Sequence, residues 1–363
     1  MMGQRPTGIG RYTQQLIHHL INLNSPHEFL LYAPKGLFDR KRRLPNFDAP
    51  HVKLKPDFFN LGPAMTVNGT TVYHAPSLED ISKAPGKVIV TVHDLIYKTY
   101  PQAHTPQTID LSQQYMQTIV DKASKIICIS QSTRNDLHRF FDVKENKTCV
   151  IYNGVNHEVF HPLNSNDVTA GQQWLTTHGL NEAFILFVGT LEPRKNLRGV
   201  LHAMALLKAQ GFMKIKLAIV GMQGWLSQGD DDLIKTLGLS DAVVFLGFIT
   251  DSQLVLLYNK AKVFVFPSFY EGFGFPILEA MACGCPVVTS NTSSCQEVAS
   301  NVAVTVDPHC HQAIADAIKK ITEDEGLQNT MKQAGITHAA QFNFHQTAAA
   351  TLAVYEDRYA APC

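Results

Sequence analysis

Glu271 and Glu279 stand eight positions apart in SFYEGFGFPILEAMACGCPVV (268–288), with Gly272, Gly274, two phenylalanines and Pro276 between them. A carboxylate accepts hydrogen bonds from hydroxyls and can grip two at once. The apolar run VFVFPS (263–268) reads as a strand, and Pro276 suits the first turn of a helix through ILEAMA. The two glycines then fall just before that helix, where backbone N–H groups and the helix dipole favour an anion. Hydroxyl binder, anion binder, hydroxyl binder is the order of groups that a nucleotide sugar presents as ribose, diphosphate and sugar. A glutamate at a helix start satisfies the dipole by itself, but that accounts for neither the glycines nor the other glutamate. The stretch is not a dinucleotide fingerprint, because Ile277 stands where the third glycine of G-x-G-x-x-G belongs. This speaks against a nicotinamide dehydrogenase.

A second chemistry-bearing stretch is GTLEPRKNL (189–197). A strand ends at Gly189, a loop carries Arg194 and Lys195, and a helix begins near Asn196. Ligands of open α/β sheets bind beyond the carboxyl ends of strands, and a guanidinium fork beside an ammonium suits phosphate oxygens. The alternative is a surface pair at a helix start, where cations oppose the macrodipole. In TVHDL (91–95), His93 also ends a buried strand, beside Asp94. Both a structural and a site role are open to it. Cys283 and Cys285 form a C-x-C without a second Cys or His pair at zinc-finger spacing, so no metal site is expected.

The elements that must position these groups are short apolar runs alternating with amphipathic segments. FLLYAP (29–34), 71–77, 87–95, 125–130 and 148–155 read as one series of buried strands. A second series is 184–190, 214–221, 243–249, 263–268, 285–290 and 302–308. Near-continuous Val/Ile/Leu strands alternating with helices imply parallel sheets covered on both faces, here two doubly wound α/β domains. The domains are expected at 1–163 and 164–342, joined by a polar linker at 161–173, with a last helix at 343–360. In TGIGRYTQQLIHHLINLN, Ile9, Tyr12, Leu16, Leu20 and Leu23 recur at helical spacing with Thr7 as a possible cap. Asp251 is a possible cap for SQLVLLYNKA, and Gly211 a stop for the helix that follows Asn196.

Composition excludes several classes. The 363 residues carry 31 Lys+Arg and 31 Asp+Glu, so nothing marks a dedicated nucleic-acid binder. The halves differ, with 18 Lys+Arg against 13 Asp+Glu in residues 1–160 and the reverse after them. Part of the excess is the run at 35–43, with Lys35, Arg40, Lys41, Arg42 and Arg43. It reads as a solvated loop, or as a contact for an anionic membrane surface or a lipid phosphate. Seven cysteines, several in apolar runs, fit buried thiols in a reducing cytoplasm better than a disulfide framework. There is neither an apolar run of membrane-spanning length nor a signal peptide, so any membrane contact would be peripheral.

Together TGIGRY, HDL, VGTLEPRKN and PSFYEGFGFPILEAMACGCPVVTSN resemble glycosyltransferase family 4, the retaining, nucleotide-sugar-dependent transferases of GT-B fold, over nearly the whole chain. GTLEPRKNL with HDLIY is most similar to the bacterial mannosyltransferase branch of O-antigen and exopolysaccharide assembly. The resemblance implies two Rossmann-like domains facing across a cleft that closes by hinge motion, and catalysis without a cofactor or divalent metal. It implies that Arg194 and Lys195 neutralise the donor diphosphate and stabilise the leaving group. Glu279 would bind the ribose hydroxyls, and Glu271 would face the transferred sugar. Phe273, Gly274 and Gly189 would line the donor site. Gly8 and Gly10 would belong to a loop that closes over the diphosphate, and His93 would contact the sugar. The donor would be GDP-mannose, with UDP-glucose or another UDP-hexose as alternatives, and the acceptor a glycan or lipid-linked hydroxyl. A non-catalytic sugar-nucleotide-binding scaffold is the other reading. Family members begin with a strand ahead of the glycine loop. That strand is missing here, which suggests a truncated start.

Overall fold

Val, Ile and Leu occupy both faces of the strands, and the structure shows what covers each face. The computed structural model describes residues 8–34, 49–57, 71–212, 215–222 and 229–359. It divides into one unit of Met1–Lys98, His104–Gly154 and Asn343–Cys363, and a second of Thr99–Ala103 and Val155–Phe342.

In the first unit, β1 (Phe29–Pro34) pairs in parallel with β2 (Val52–Asp57). A second parallel sheet runs β3 (Val72–Ala75), β4 (Lys87–Val92), β5 (Lys125–Cys128) and β6 (Thr148–Val150) in that spatial order. Val90, Val92 and Ile126 face one core with Met116, Ile119 and Leu137. Ile89, Ile127 and Cys149 face the other, against Val354 of the helix Phe344–Tyr355. Alternation between two apolar cores is why the sequence reads as unbroken hydrophobic runs. Asn343 caps that last helix, and Lys87 Nζ donates to its final carbonyls, Val354 O at 3.0 Å and Tyr355 O at 3.1 Å. The helix Gly8–Asn22 buries Tyr12, Leu16 and Leu20 on one face.

In the second unit, β7 (Phe184–Val188), β8 (Lys216–Val220), β9 (Val243–Gly247), β10 (Val263–Phe266), β11 (Val287–Ser290) and β12 (Val304–Val306) form one parallel sheet in the order β12-β11-β10-β7-β8-β9. The core packs Phe187, Leu217, Ile219 and Val265 beneath Leu201 and Ile318. From β7 the chain steps to β8 on one side, while β10 lies on the other. The loops leaving β7 and β10 therefore part at a topological switch point, where open sheets hold their ligands. Two doubly wound parallel units match the expected fold class.

Several local expectations are corrected. β2, VKLKPD, was not anticipated, because its lysines and Pro56 mask a short strand. The stretch at 161–173 is not a linker loop: Asn164 accepts from Asn166 N and Asp167 N and starts the helix Ser165–Thr177. Polar residues that favour caps were mistaken for loop. The strand expected over 148–155 ends at Val150. A Cβ on Gly154 would lie 2.2 Å from Phe344 N, so the chain there needs glycine for a close backbone approach. Thr250, not Asp251, caps the helix Asp251–Lys260, in a capping box with Gln253. Thr7 and the basic run 35–43 lie outside the described residues.

Candidate active site

After β7 the backbone passes Gly189 and enters a tight 3₁₀ turn, Pro193–Lys195. Gly221, at the end of β8, is held against it so closely that a Cβ there would lie 1.9 Å from Gly189 O. Asn196 adopts φ 60° and caps the helix Leu197–Ala209 by accepting from Gly199 N at 3.1 Å. Its amide donates to Pro267 O at 3.1 Å and to Pro308 O at 2.7 Å. One side chain thus pins the loop after β7 to the ends of β10 and β12. Phe269 N adds a bond to Arg194 O at 2.8 Å.

This staple brings Arg194, Lys195 and Glu271 together. Lys195 Nζ donates to Glu271 Oε1 at 2.5 Å, and Arg194 Nη1 to Oε2 at 2.9 Å. Arg194 Nε is held by Glu192 Oε2 at 2.9 Å, and the Lys195 ammonium lies 4.8 Å from the Phe266 ring centroid. Lys195 is 8 % exposed and Glu271 7 %, so the charges face each other where water screens them little. Burial by itself would push the Glu271 carboxyl up; the Arg194 and Lys195 charges reverse this and hold it at about 2.

The loop that carries Glu271 is laced by hydroxyls from 289–294. Thr289 Oγ1 donates to Phe266 O at 2.8 Å, Ser290 Oγ to Ser268 O, Thr292 Oγ1 to Phe269 O at 3.3 Å, and Ser294 Oγ to Glu271 O at 2.8 Å. Ser293 Oγ accepts from Glu271 N at 3.2 Å, and Ser293 itself takes φ 51°, uncommon for a residue with a Cβ. Sequence reasoning missed these positions. The signal was the density of hydroxyls in TSNTSS at the end of β11.

Glu279 lies one turn into the helix Phe275–Ala282, which starts after Gly274 at φ 99° with Pro276 in its first turn. Tyr258, on the helix Asp251–Lys260, donates its hydroxyl to Glu279 Oε2 at 3.3 Å. Tyr258 was not singled out from the sequence, where it sits in the apolar run LVLLYNK. The Phe273 ring packs against Phe275 and Phe342, at 5.4 and 6.3 Å between centroids. Cys283 and Cys285 are buried, and burial pushes both thiols up. Among the described residues no group of three or more His, Cys, Asp or Glu could hold a metal ion.

His93, Gly8 and Gly10 belong to the first unit. His93 follows β4, is 9 % exposed, and donates Nε2–H to Pro76 O at 2.8 Å. Its ring meets Tyr12 edge-on at 4.8 Å, and burial lowers its pKa, which favours the neutral imidazole. Behind it, Thr91 Oγ1 joins Tyr12 OH at 3.1 Å and His74 Nε2 at 2.9 Å, and His74 Nδ1 meets Tyr355 OH at 2.6 Å. Gly8 and Gly10 stand in the first turn of the helix Gly8–Asn22, not in a loop as expected; helix begins at the glycines themselves because Ile9 and Tyr12 already follow its apolar period.

Comparison with known proteins bears on this arrangement. Residues 6–159 match glycosyltransferase family 4, and residues 173–338 match the glycosyl transferases of group 1. O-antigen chain mannosyltransferase B of Escherichia coli is 27 % identical over 96 % of each chain. The serotype-specific mannosyltransferase WbdA of E. coli is 31 % identical over 73 % of this chain, which spans 32 % of WbdA's length. Among solved structures, sucrose-phosphate synthase of Thermosynechococcus elongatus superposes with a TM-score of 0.78 at 23 % identity, covering 97 % of this chain and 93 % of that one. Anabaena HepE, solved with UDP and glucose, gives 0.74 at 21 % identity over 98 % of both. The fold is GT-B.

Proposed function

The chain belongs to the glycosyltransferases of family 4, and we propose that it transfers a hexose from a nucleotide-sugar donor to an acceptor hydroxyl with retention at the anomeric carbon. Mannose from GDP-mannose is the first choice of donor, and a glycan or lipid-linked sugar is the acceptor. The observation that carries the reading is the Arg194–Lys195–Glu271 cluster at the β7/β10 switch point, with Glu279 on the next helix.

The donor's diphosphate replaces Glu271 as the main partner of the two cations. The bond between the anomeric carbon and the phosphate oxygen breaks, and the bond from the acceptor oxygen to that carbon forms. The acceptor's proton leaves with the diphosphate or to solvent. Charge grows on the departing phosphate oxygens, and Arg194 and Lys195, already fixed by the Asn196 staple, meet it without reorganising. Glu271, displaced toward the sugar, stabilises positive charge at the anomeric carbon. Glu279 holds the ribose, and the backbone at Phe273 and Gly274 faces the diphosphate. Gly189 lets the β7 loop pass beneath it.

The choice of mannose follows the likeness to the two E. coli mannosyltransferases. A UDP-hexose donor is the second reading, favoured by the likeness to HepE with UDP and glucose. Peripheral contact of the run 35–43 with an anionic membrane on its cytoplasmic face would bring a lipid-linked acceptor within reach. No helix among the described residues is long and apolar enough to cross a membrane. A panel of nucleotides and nucleotide sugars scored by thermal shift tests the reading. GDP and GDP-mannose are expected to raise the melting temperature; a shift with UDP alone replaces the donor, and no shift with any nucleotide overturns the reading.

A further inference from the structure

Tyr258 is completely buried, at 0 % exposure, in an aromatic column that follows β10. Its ring meets Phe264 edge-on at 5.4 Å and Phe160 at 6.3 Å. Phe264 stacks with Phe266 at 5.6 Å, and Phe266 lies under the Lys195 ammonium at 4.8 Å. The column thus runs from Glu279's neighbour at one end of the strand to the cation pair at the other. A phenol hydroxyl in such surroundings needs a partner, since an unpaired buried hydroxyl is costly. The partner the structure gives it is Glu279 Oε2, at 3.3 Å. Packing alone would be served as well by phenylalanine, the residue at 264 and 266 in the same column.

We infer that Tyr258 is a positioning residue for donor binding: its hydroxyl fixes the Glu279 carboxylate, and so sets how tightly the ribose of the nucleotide is held. A carboxylate accepts along four lone-pair directions. Anchoring Oε2 stops rotation about the last side-chain bond and aims the remaining directions. Tyr258 and Glu279 come from the helices that precede and follow β10, so the bond also fixes the second helix at the height of Glu279. Burial, and then the Glu279 charge, push the phenol well above its ordinary range, so it remains a donor at any working pH. The inference rests on the reading of Glu279 as the ribose ligand.

The test is a titration of GDP and of 2′,3′-dideoxy-GDP, with the two uridine counterparts in parallel, onto wild type and Tyr258→Phe. The dideoxy nucleotides keep base and diphosphate but offer Glu279 no hydroxyl. Wild type is expected to prefer the ribonucleotide by tenfold or more. A hydrogen bond to a charged acceptor, long at 3.3 Å, puts the expected loss of ribonucleotide affinity in Tyr258→Phe at roughly tenfold. Dideoxynucleotide affinity is expected to stay within about twofold, so the preference collapses; in a Glu279→Ala background, where no acceptor remains at 279, Tyr258→Phe is expected to add nothing to the loss of preference. A merely structural tyrosine would weaken both nucleotides alike, and that result overturns the inference. So does an unchanged preference in Tyr258→Phe. A wild type that does not discriminate ribo- from dideoxynucleotide in either base series instead removes the ribose role of Glu279, a different failure. The substitution deletes one oxygen and keeps the ring in its column, and a melting temperature within a few degrees of wild type checks that the fold is held.

Discussion

Glu271 and Glu279 are equally buried, each 7 % exposed, and eight residues apart, yet they are held by opposite means. Glu271 lies between an ammonium and a guanidinium; Glu279 takes a tyrosine hydroxyl on a helix. The first arrangement is a charge cluster poised to exchange one anion for another. The second is a fixed acceptor that changes little when a ligand arrives. The same residue type, at the same depth, therefore serves chemistry at one end of the loop and recognition at the other.

The strongest way to break this contrast is to remove a charge from the cluster. Lys195→Ala and Glu271→Ala are each expected to lower the rate of transfer by about a thousandfold, as loss of a preorganised charge-stabilising group does. Glu271→Ala also takes the carboxylate from the buried Lys195 ammonium, while Arg194 keeps Glu192, and is expected to cost about 3–5 kcal/mol of stability in denaturant melts. Turnover close to wild type in both variants would remove the cluster from the mechanism. Glu279→Gln is the next step down: donor KM is expected to rise roughly 10–100-fold with kcat little changed, the pattern of lost uniform binding.

Acid titration sharpens the comparison further. The Glu271 carboxyl lies at about 2 in the folded chain against 4.5 as its ordinary value. A folded value below the unfolded one means stability that is present above pH 4.5 and is lost as pH falls toward about 2. His74 in the first unit is pushed by burial from 6.5 to about 3, so its contribution is lost from pH 6.5 downward. Urea midpoints followed against pH are expected to fall first below 6.5, and again below 4.5. In Glu271→Gln the second fall is expected to flatten while the first persists. The smallest expected effect is that of Ser294→Ala. It removes one bond to the Glu271 carbonyl and is expected to cost about 1 kcal/mol, with a modest drop in rate.

Much of this was legible because short-range rules governed it. The two strand series follow from apolar runs, and the start of the helix at 275 follows from Gly274 and Pro276. The placement of Arg194, Lys195 and Glu271 beyond strand ends, and of Glu279 in the helix that follows, comes from both. What was not legible depended on partners far along the chain. Glu271 meets Lys195 across 76 residues, and Tyr258 meets Glu279 from the helix that precedes β10 in the chain. No local pattern encodes those distances. The hydroxyls of 289–294 bond to carbonyls 23 residues earlier in the chain, a partnership that their own stretch does not encode. The helix at 165–177 was missed because capping residues and loop residues share one composition. For Gly8 and Gly10 the loop was what the family resemblance implied, whereas the apolar period through Ile9, Tyr12 and Leu16 already marked the helix.

The division of labour between the two glutamates is tested most directly by titrating free nucleoside diphosphate and the matching nucleotide sugar onto Glu271→Gln and Glu279→Gln. Glu279→Gln is expected to weaken both ligands by the same factor. Glu271→Gln is expected to bind the free diphosphate at least as tightly as wild type, because Arg194 and Lys195 no longer have to give up a carboxylate, while transfer is lost. Free diphosphate bound normally by Glu279→Gln and weakly by Glu271→Gln would contradict the account.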